Sequence, residues 1–259
     1  MNDPLASSVT KGYFRYFSAK NREADLTHIH DLRDRGLITS NNPCKFPRRV
    51  YVINLDRRED RWLESNSINL DLFSKISVER FSAIELPNPV DAIFESFVKC
   101  LEKGFETEET IIIMEDDAYL VPGGWEKLHL AFSSLPSDWD CLIGNHYFFG
   151  DINVLSDHLA KPVGEASTLN FAIFRNTILN KIQNNMHLRE SVRLDIDHFL
   201  TSDEVPINNY SVWPMVSRES LSFSDHKKSV KDMTVRIREH ASLFPFVDSD
   251  TYYPGLRDW

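Results

Sequence analysis

A chain of 259 residues, 42% of them hydrophobic and 26% charged, carries enough apolar material for one large or two small globular domains and too much to remain disordered. Its formal net charge of -10 disfavours a nucleic-acid binder, which neutralises phosphate with a basic surface. An acidic protein that handles phosphates usually needs a cation to do it. The cysteines Cys44, Cys100 and Cys141 form no CxxC pair and no zinc-site spacing, and read as reduced, buried residues. No apolar run reaches the roughly 18 residues of a membrane span. Met1 to Tyr13 lacks the basic and apolar regions of a signal peptide, so a soluble, cytoplasmic protein is the expectation.

Residues 1–46 read as a polar N-terminal extension, with a charged cluster at His28 to Arg35 and the breakers Asn41, Asn42 and Pro43. One domain over residues 47–259 follows. Val50 to Ile53 is a short β-branched run bounded by Asn54 and Asp56, as in a buried parallel strand, and Asp56 is placed to cap a charged helix through Glu64. Ser77 to Ala83 predicts a second strand. Val90, Ile93, Phe94, Phe97, Val98 and Leu101 then follow helical spacing up to a stop at Gly104. Thr110 to Met114 predicts a strand, Trp125 to Phe132 a helix, and Asp140 to Gly144 a strand. This alternation predicts an α/β fold with a mainly parallel central sheet covered by helices on both faces. Further on, Phe171 to Phe174 and Val212 to Val216 read as strands and Thr177 to Gln183 as a helix.

The most informative segment is Thr110 to Leu120, where Glu115, Asp116 and Asp117 interrupt a strongly apolar run. Core packing asks for no such triplet. At the carboxyl end of a central strand it lies in the crevice where open α/β sheets bind ligands. Alternation along a strand turns Glu115 and Asp117 to one side and leaves Asp116 to the other side or to the turn. Hard carboxylate oxygens suit Mg2+ or Mn2+, which bind through one or two carboxylates plus substrate phosphate oxygens. The competing reading is a solvated turn, helped by Pro122, Gly123 and Gly124.

A second segment, Tyr51 to Arg61, runs from a strand straight into a polar and basic turn. Asn54 and Asp56 are suited to bond a base or ribose, and Arg57 or Arg61 to meet phosphate. The same residues also fit a capped helix with Asp and Arg pairs on its solvent face. Together, Ile53-Asn54-Leu55-Asp56-Arg57-Arg58-Glu59-Asp60-Arg61 and Glu115-Asp116-Asp117 resemble glycosyltransferase family 25. That family contains lipopolysaccharide β-galactosyltransferases and is related to collagen galactosyltransferases. Weaker matches are Arg80 to Ile84, whose Ala83 corresponds to an alanine near the nucleotide, Ile196 to Leu200, Tyr210 to Pro214 and Ser222 to Asp225. The resemblance covers roughly residues 48 to 230. Glu59 stands where the family has proline, and Phe171-Ala172 replaces its alanine and tyrosine, which puts the acceptor side in doubt.

The resemblance implies a GT-A-like nucleotide-sugar-binding fold and inverting transfer from a UDP-sugar, galactose first, to a hydroxyl of a glycan, lipopolysaccharide or protein. It implies Mn2+ or Mg2+ held by Asp117 with Glu115 or Asp116. His226 is suited to complete the metal shell, since imidazole suits Mn2+ better than Mg2+, against the plainer reading of a lone surface histidine. The resemblance also implies a carboxylate base, Asp197 first and Asp195 second, against the plainer reading of those two as a helix cap and a surface charge. Lys227 and Lys228 are placed to reach the diphosphate or to stand as exposed charges. Peripheral membrane association through the acceptor is compatible with this. Two rival classes stand beside it: a metal-dependent phosphohydrolase or nucleotidyltransferase, and a nucleotide- or glycan-binding module without turnover. A GxSxG elbow and a GxxxxGK[ST] loop are both absent, which disfavours acyl chemistry and P-loop phosphate binding.

Overall fold

The computed structural model describes residues 42–145, 147–148, 151–164, 166–167, 169–192, 195–220, 222–224 and 229–231. All of the expected N-terminal extension except 42–46 therefore lies outside the described residues. In chain order the elements are β1 (Arg49–Asn54), α1 (Glu59–Ile68), α2 (Leu70–Lys75), β2 (Ser77–Ser82), α3 (Pro89–Phe105), β3 (Thr110–Glu115), β4 (Ala118–Leu120), α4 (Gly124–Ser133) and β5 (Cys141–Ile143). They continue with β6 (Tyr147–Phe148), β7 (Asp151–Val154), β8 (Leu159–Val163), β9 (Ala166–Ser167), β10 (Phe171–Arg175), α5 (Thr177–Val192) and α6 (Ile196–Thr201). Strands β11 (Asn209–Val212), β12 (Ser217–Glu219), β13 (Ser222–Ser224) and β14 (Ser229–Lys231) close the series.

The central sheet has 8 strands in the order β2-β1-β3-β10-β5-β11-β8-β7. β1 is parallel to β2 and β3, and β5 to β11, whereas β10 and β8 each run against both neighbours. The result is a mixed, mostly parallel sheet of an α/β protein, the class expected from the alternation of elements. Side chains alternate across it. Val50, Val52, Ile112, Met114, Phe171 and Ile173 enter one core with Leu72, Leu128, Ala131 and Phe132. Tyr51, Ile111, Ile113, Ala172 and Phe174 enter the other with Phe94, Phe97, Leu101, Ile178, Phe199 and Leu200. Helices α2 and α4 therefore cover one face, and α3, α5 and α6 the opposite one. Helix α3 is locally well specified, with Pro89 in its first turn and the Asn88 side chain accepting from the Val90 amide. It comes so close to the sheet that a Cβ on Gly104 would stand 2.6 Å from Ile111 Cδ1.

Three local expectations shift. α1 begins at Glu59 behind Arg58, without a side-chain cap, because Asp56 instead accepts from Ser82 Oγ at 2.8 Å. The parallel register Asn54↔Ser82 brings those strand ends together. The strand expected over Val212 to Val216 ends at Val212, and the chain then turns until β12 pairs antiparallel with β4. Met215 and Val216 are buried all the same, so that apolar run reflects packing rather than ladder pairing. Helix α5 extends from the expected Thr177 to Val192.

Candidate active site

Because β1 and β3 are parallel neighbours, in register Ile53↔Glu115, their carboxyl ends lie side by side. The chain turns at Asp116 and Asp117 before β4 begins, so these two carboxylates do not follow strand alternation. Both instead face Arg61 on α1, whose Nη2 lies 2.5 Å from Asp116 Oδ1 and 2.7 Å from Asp117 Oδ2. Asn54 Nδ2 donates to the second Asp116 oxygen at 2.5 Å and to the Arg58 carbonyl at 3.1 Å, which ties the triplet to the loop after β1. The turn is held from the other side by the Ser220 amide, which donates to the Asp117 carbonyl at 2.7 Å. Asp116 and Asp117 are each only 8% exposed. Burial pushes the Asp116 carboxyl up to about 6 despite Arg61 and Asn54, which favour its ionised form.

The neighbouring loop is held by local bonds. Ala83 donates its amide to the Asn54 carbonyl at 2.9 Å. Arg80 packs over the Trp62 ring and pairs with Glu59 at 2.9 Å, while its other nitrogen reaches the Asp56 carbonyl at 3.3 Å. Arg57 pairs with Glu85 at 3.3 Å on the surface. Asn54, Asp56, Arg61, Ala83, Asp116 and Asp117 thus gather around the ends of β1, β2 and β3, with Glu115 half-buried as the last residue of β3. Helix α6, whose Ile196, Phe199 and Leu200 enter the core shared with α3 and α5, carries Asp197, and Asp195 stands just before it. Asp195 is the N-cap of α6: one of its oxygens accepts from the His198 amide at 3.0 Å and lies 2.6 Å from His198 Nδ1. Asp197 is half-buried in the first turn. His226, Lys227 and Lys228 lie outside the described residues.

Several buried polar atoms among the described residues make no hydrogen bond, and Asn54 Oδ1, Arg61 Nε, Asp117 Oδ1 and Asn170 Nδ2 are among them. Such atoms are uncommon in folded proteins, and a concentration of them at strand ends points to a ligand. Asn170 was not singled out from sequence. It lies opposite the triplet, its carbonyl accepting from the Glu115 amide at 2.8 Å and its side-chain oxygen from Ser217 Oγ at 3.3 Å. A polar residue between Leu169 and Phe171 is the one sequence signal it leaves.

The donor set can be weighed for a divalent cation. Both Asp116 oxygens are engaged, whereas Asp117 retains one oxygen without a partner. Among the described residues, no three His, Cys, Asp or Glu side chains converge in a way that would hold a metal by themselves. One carboxylate, with a second nearby, fits Mg2+ or Mn2+ of the type completed by substrate phosphates and water. It does not fit a cage built wholly of protein ligands.

Asp140, which in sequence marks only the start of a strand, has a structural role. Buried at the other end of β5, it accepts from Thr177 Oγ1 at 2.6 Å, from Lys181 Nζ at 2.5 Å and from the Asn208 amide at 2.8 Å. Asp140→Ala is expected to cost about 2–3 kcal/mol, because Thr177 and the Asn208 amide lose a charged acceptor. Urea denaturation checks this: the midpoint should fall with the slope unchanged, and a loss under about 0.5 kcal/mol would contradict it.

No family model matches the sequence, and no curated protein matches it. Among solved structures, the chain is similar to a glycosyltransferase involved in the glycosylation of the major capsid of PBCV-1, with 9% identity and a TM-score of 0.46 over 70% of this chain and 95% of that one. It is also similar to A197 from STIV, with 11% identity and a TM-score of 0.42 over 72% of this chain and 95% of that one. Likeness at this level assigns neither a family nor an activity. No described helix is long and apolar enough to cross a membrane.

Proposed function

We propose that this chain is a glycosyltransferase of GT-A-like fold, in the manner of glycosyltransferase family 25, that moves a sugar from a UDP-sugar to an acceptor hydroxyl. Galactose is the first candidate sugar, with a glycan, lipopolysaccharide or protein as acceptor, Mn2+ or Mg2+ as cofactor and inversion as the stereochemical course. The observation that carries this reading is the cluster of Asn54, Arg61, Asp116 and Asp117 at adjoining strand ends, with polar atoms left unmatched in three of the four. In open α/β sheets this is where nucleotides bind.

In this reading Asp117 supplies the direct metal ligand and Glu115 or Asp116 a supporting carboxylate. The cation, when bound, offsets the charge that grows on the departing diphosphate. Asn54 and Asp56 contact base or ribose, Ala83 packs beside the nucleotide, and Arg61 or Arg57 meets phosphate, where a guanidinium fork matches the oxygens. Asp197 takes the acceptor proton as the hydroxyl attacks from the far side of the sugar, with Asp195 as the second candidate. His226 is a further ligand candidate. The rival reading as a phosphohydrolase uses the same carboxylates but releases phosphate from simple nucleotides.

Calorimetry tests the donor site directly. UDP is expected to bind measurably with Mn2+ or Mg2+ present and to lose that binding on chelation, because an acidic pocket repels a bare diphosphate. Equal affinity in the two conditions would contradict the metal assignment.

A further inference from the structure

Arg61 is in an unusual position for a residue expected to meet phosphate: one of its nitrogens is shared between two carboxylates. The side chains of Arg61, Asp116 and Asp117 are 11%, 9% and 11% exposed, so little water screens the attraction. The two acids are not held equally. Asp116 is fixed through both oxygens, by Arg61 and by Asn54. Asp117 is held by Arg61 through Oδ2 alone, and its buried Oδ1 has no hydrogen-bond partner. Arg61 Nε is likewise buried without an acceptor. Asp117 thus keeps an acceptor fit for a cation, and Arg61 a donor fit for an anion, while each satisfies only part of the other. Asn54 Oδ1, also unpartnered in a residue only 1% exposed, marks the same place as one built for a ligand.

We propose that Arg61 is a displaceable stand-in for the divalent cation, pairing with Asp116 and Asp117 beforehand and releasing Asp117 to turn its guanidinium onto the donor diphosphate as the cation arrives. This rests on the metal-dependent donor site proposed above. Arg61 lies in the first turns of α1 on a long side chain, so the exchange needs rotamer changes rather than a movement of the helix. It has a definite thermodynamic consequence. A bare cation competes with Arg61 for Asp117 and binds weakly, whereas a cation that arrives with a diphosphate compensates Arg61 for the carboxylate it loses. Metal and nucleotide therefore strengthen each other's binding, and the coupling is reciprocal.

The test uses the full chain and reads binding rather than turnover. Removing a close charge pair typically changes binding by roughly tenfold or more. Mn2+ alone, titrated calorimetrically, is expected to bind Arg61→Gln at least about tenfold tighter than the wild type. UDP at saturating Mn2+ is expected to bind the variant at least about tenfold weaker. Opposite signs for the two ligands are the signature, since a merely structural Arg61 would weaken both. Equal Mn2+ affinity in the two proteins would overturn the exchange while leaving the wild type's metal-dependent UDP binding intact. No Mn2+ binding to either protein, with or without UDP, would overturn the donor-site reading as well. If Arg61→Gln is too unstable to titrate at ambient temperature, the rise in its melting temperature with Mn2+ takes the place of the titration. That rise should exceed the wild type's, with Arg61→Lys, which keeps the charge but not the fork, in between; a rise no larger than the wild type's overturns the proposal.

Discussion

Asp117→Ala should abolish metal-dependent UDP binding and lower sugar transfer by at least about a hundredfold, the scale of losing a principal charge-stabilising group in a transfer site. The fold should survive. Arg61 still finds Asp116, Asn54 still bonds the other Asp116 oxygen, and the Ser220 amide still bonds the backbone of residue 117. A loss of about 1–3 kcal/mol in unfolding free energy is expected: Arg61 loses one buried partner, but Asp116 still neutralises it and one buried carboxylate is gone. Calorimetry with UDP and Mn2+, beside a thermal melt, separates the two effects. Normal donor affinity in a folded Asp117→Ala protein would remove the triplet from the site.

Asp197→Asn should leave UDP-sugar affinity near normal and slow transfer by roughly a hundredfold or more, the usual scale of general-base assistance. Donor hydrolysis should fall less than transfer, because water is the smaller and more mobile acceptor. The paired control is Asp195→Asn. Asp195 caps α6 by accepting from the His198 amide, and asparagine caps about as well as aspartate, so that variant should stay folded and active. Transfer rates under saturating donor decide between them. An inactive Asp195→Asn beside an active Asp197→Asn would move the base to Asp195, with His198 as its partner at 2.6 Å.

The parts of this arrangement that were legible in sequence are those governed by local pattern. The apolar runs of β1 and β3 and the helical spacing of α3 announced themselves because strand and helix periods write burial directly into residue order. The direction of β10 could not be read in this way. A run such as Phe171 to Phe174 has the same pattern in a parallel or an antiparallel sheet, and only its pairing with β3 and β5 sets the sense. The acidic triplet was found, but its geometry was extrapolated along a strand that ends at Glu115. Once the chain turns, Asp116 and Asp117 share one guanidinium. The contact of Arg61 with the triplet is invisible in sequence, which separates them widely, and only the parallel pairing of β1 with β3 closes that distance. Asp140 and Asn170 were missed for a related reason: a single polar residue beside an apolar run gives no sign of the partners that bury it.

Whether a sugar leaves a nucleotide for an acceptor is measured most directly by a donor screen with mass detection. The purified chain would be incubated with several UDP-sugars, Mn2+ and a panel of glycan, lipopolysaccharide and peptide acceptors. A UDP-sugar, UDP-galactose first, is expected for which an acceptor gains the mass of one hexosyl residue as UDP appears, with both signals lost on chelation and in Asp117→Ala. Release of phosphate from nucleotides that carry no sugar, with no acceptor gaining mass, would contradict it and turn the same carboxylates into a hydrolase site.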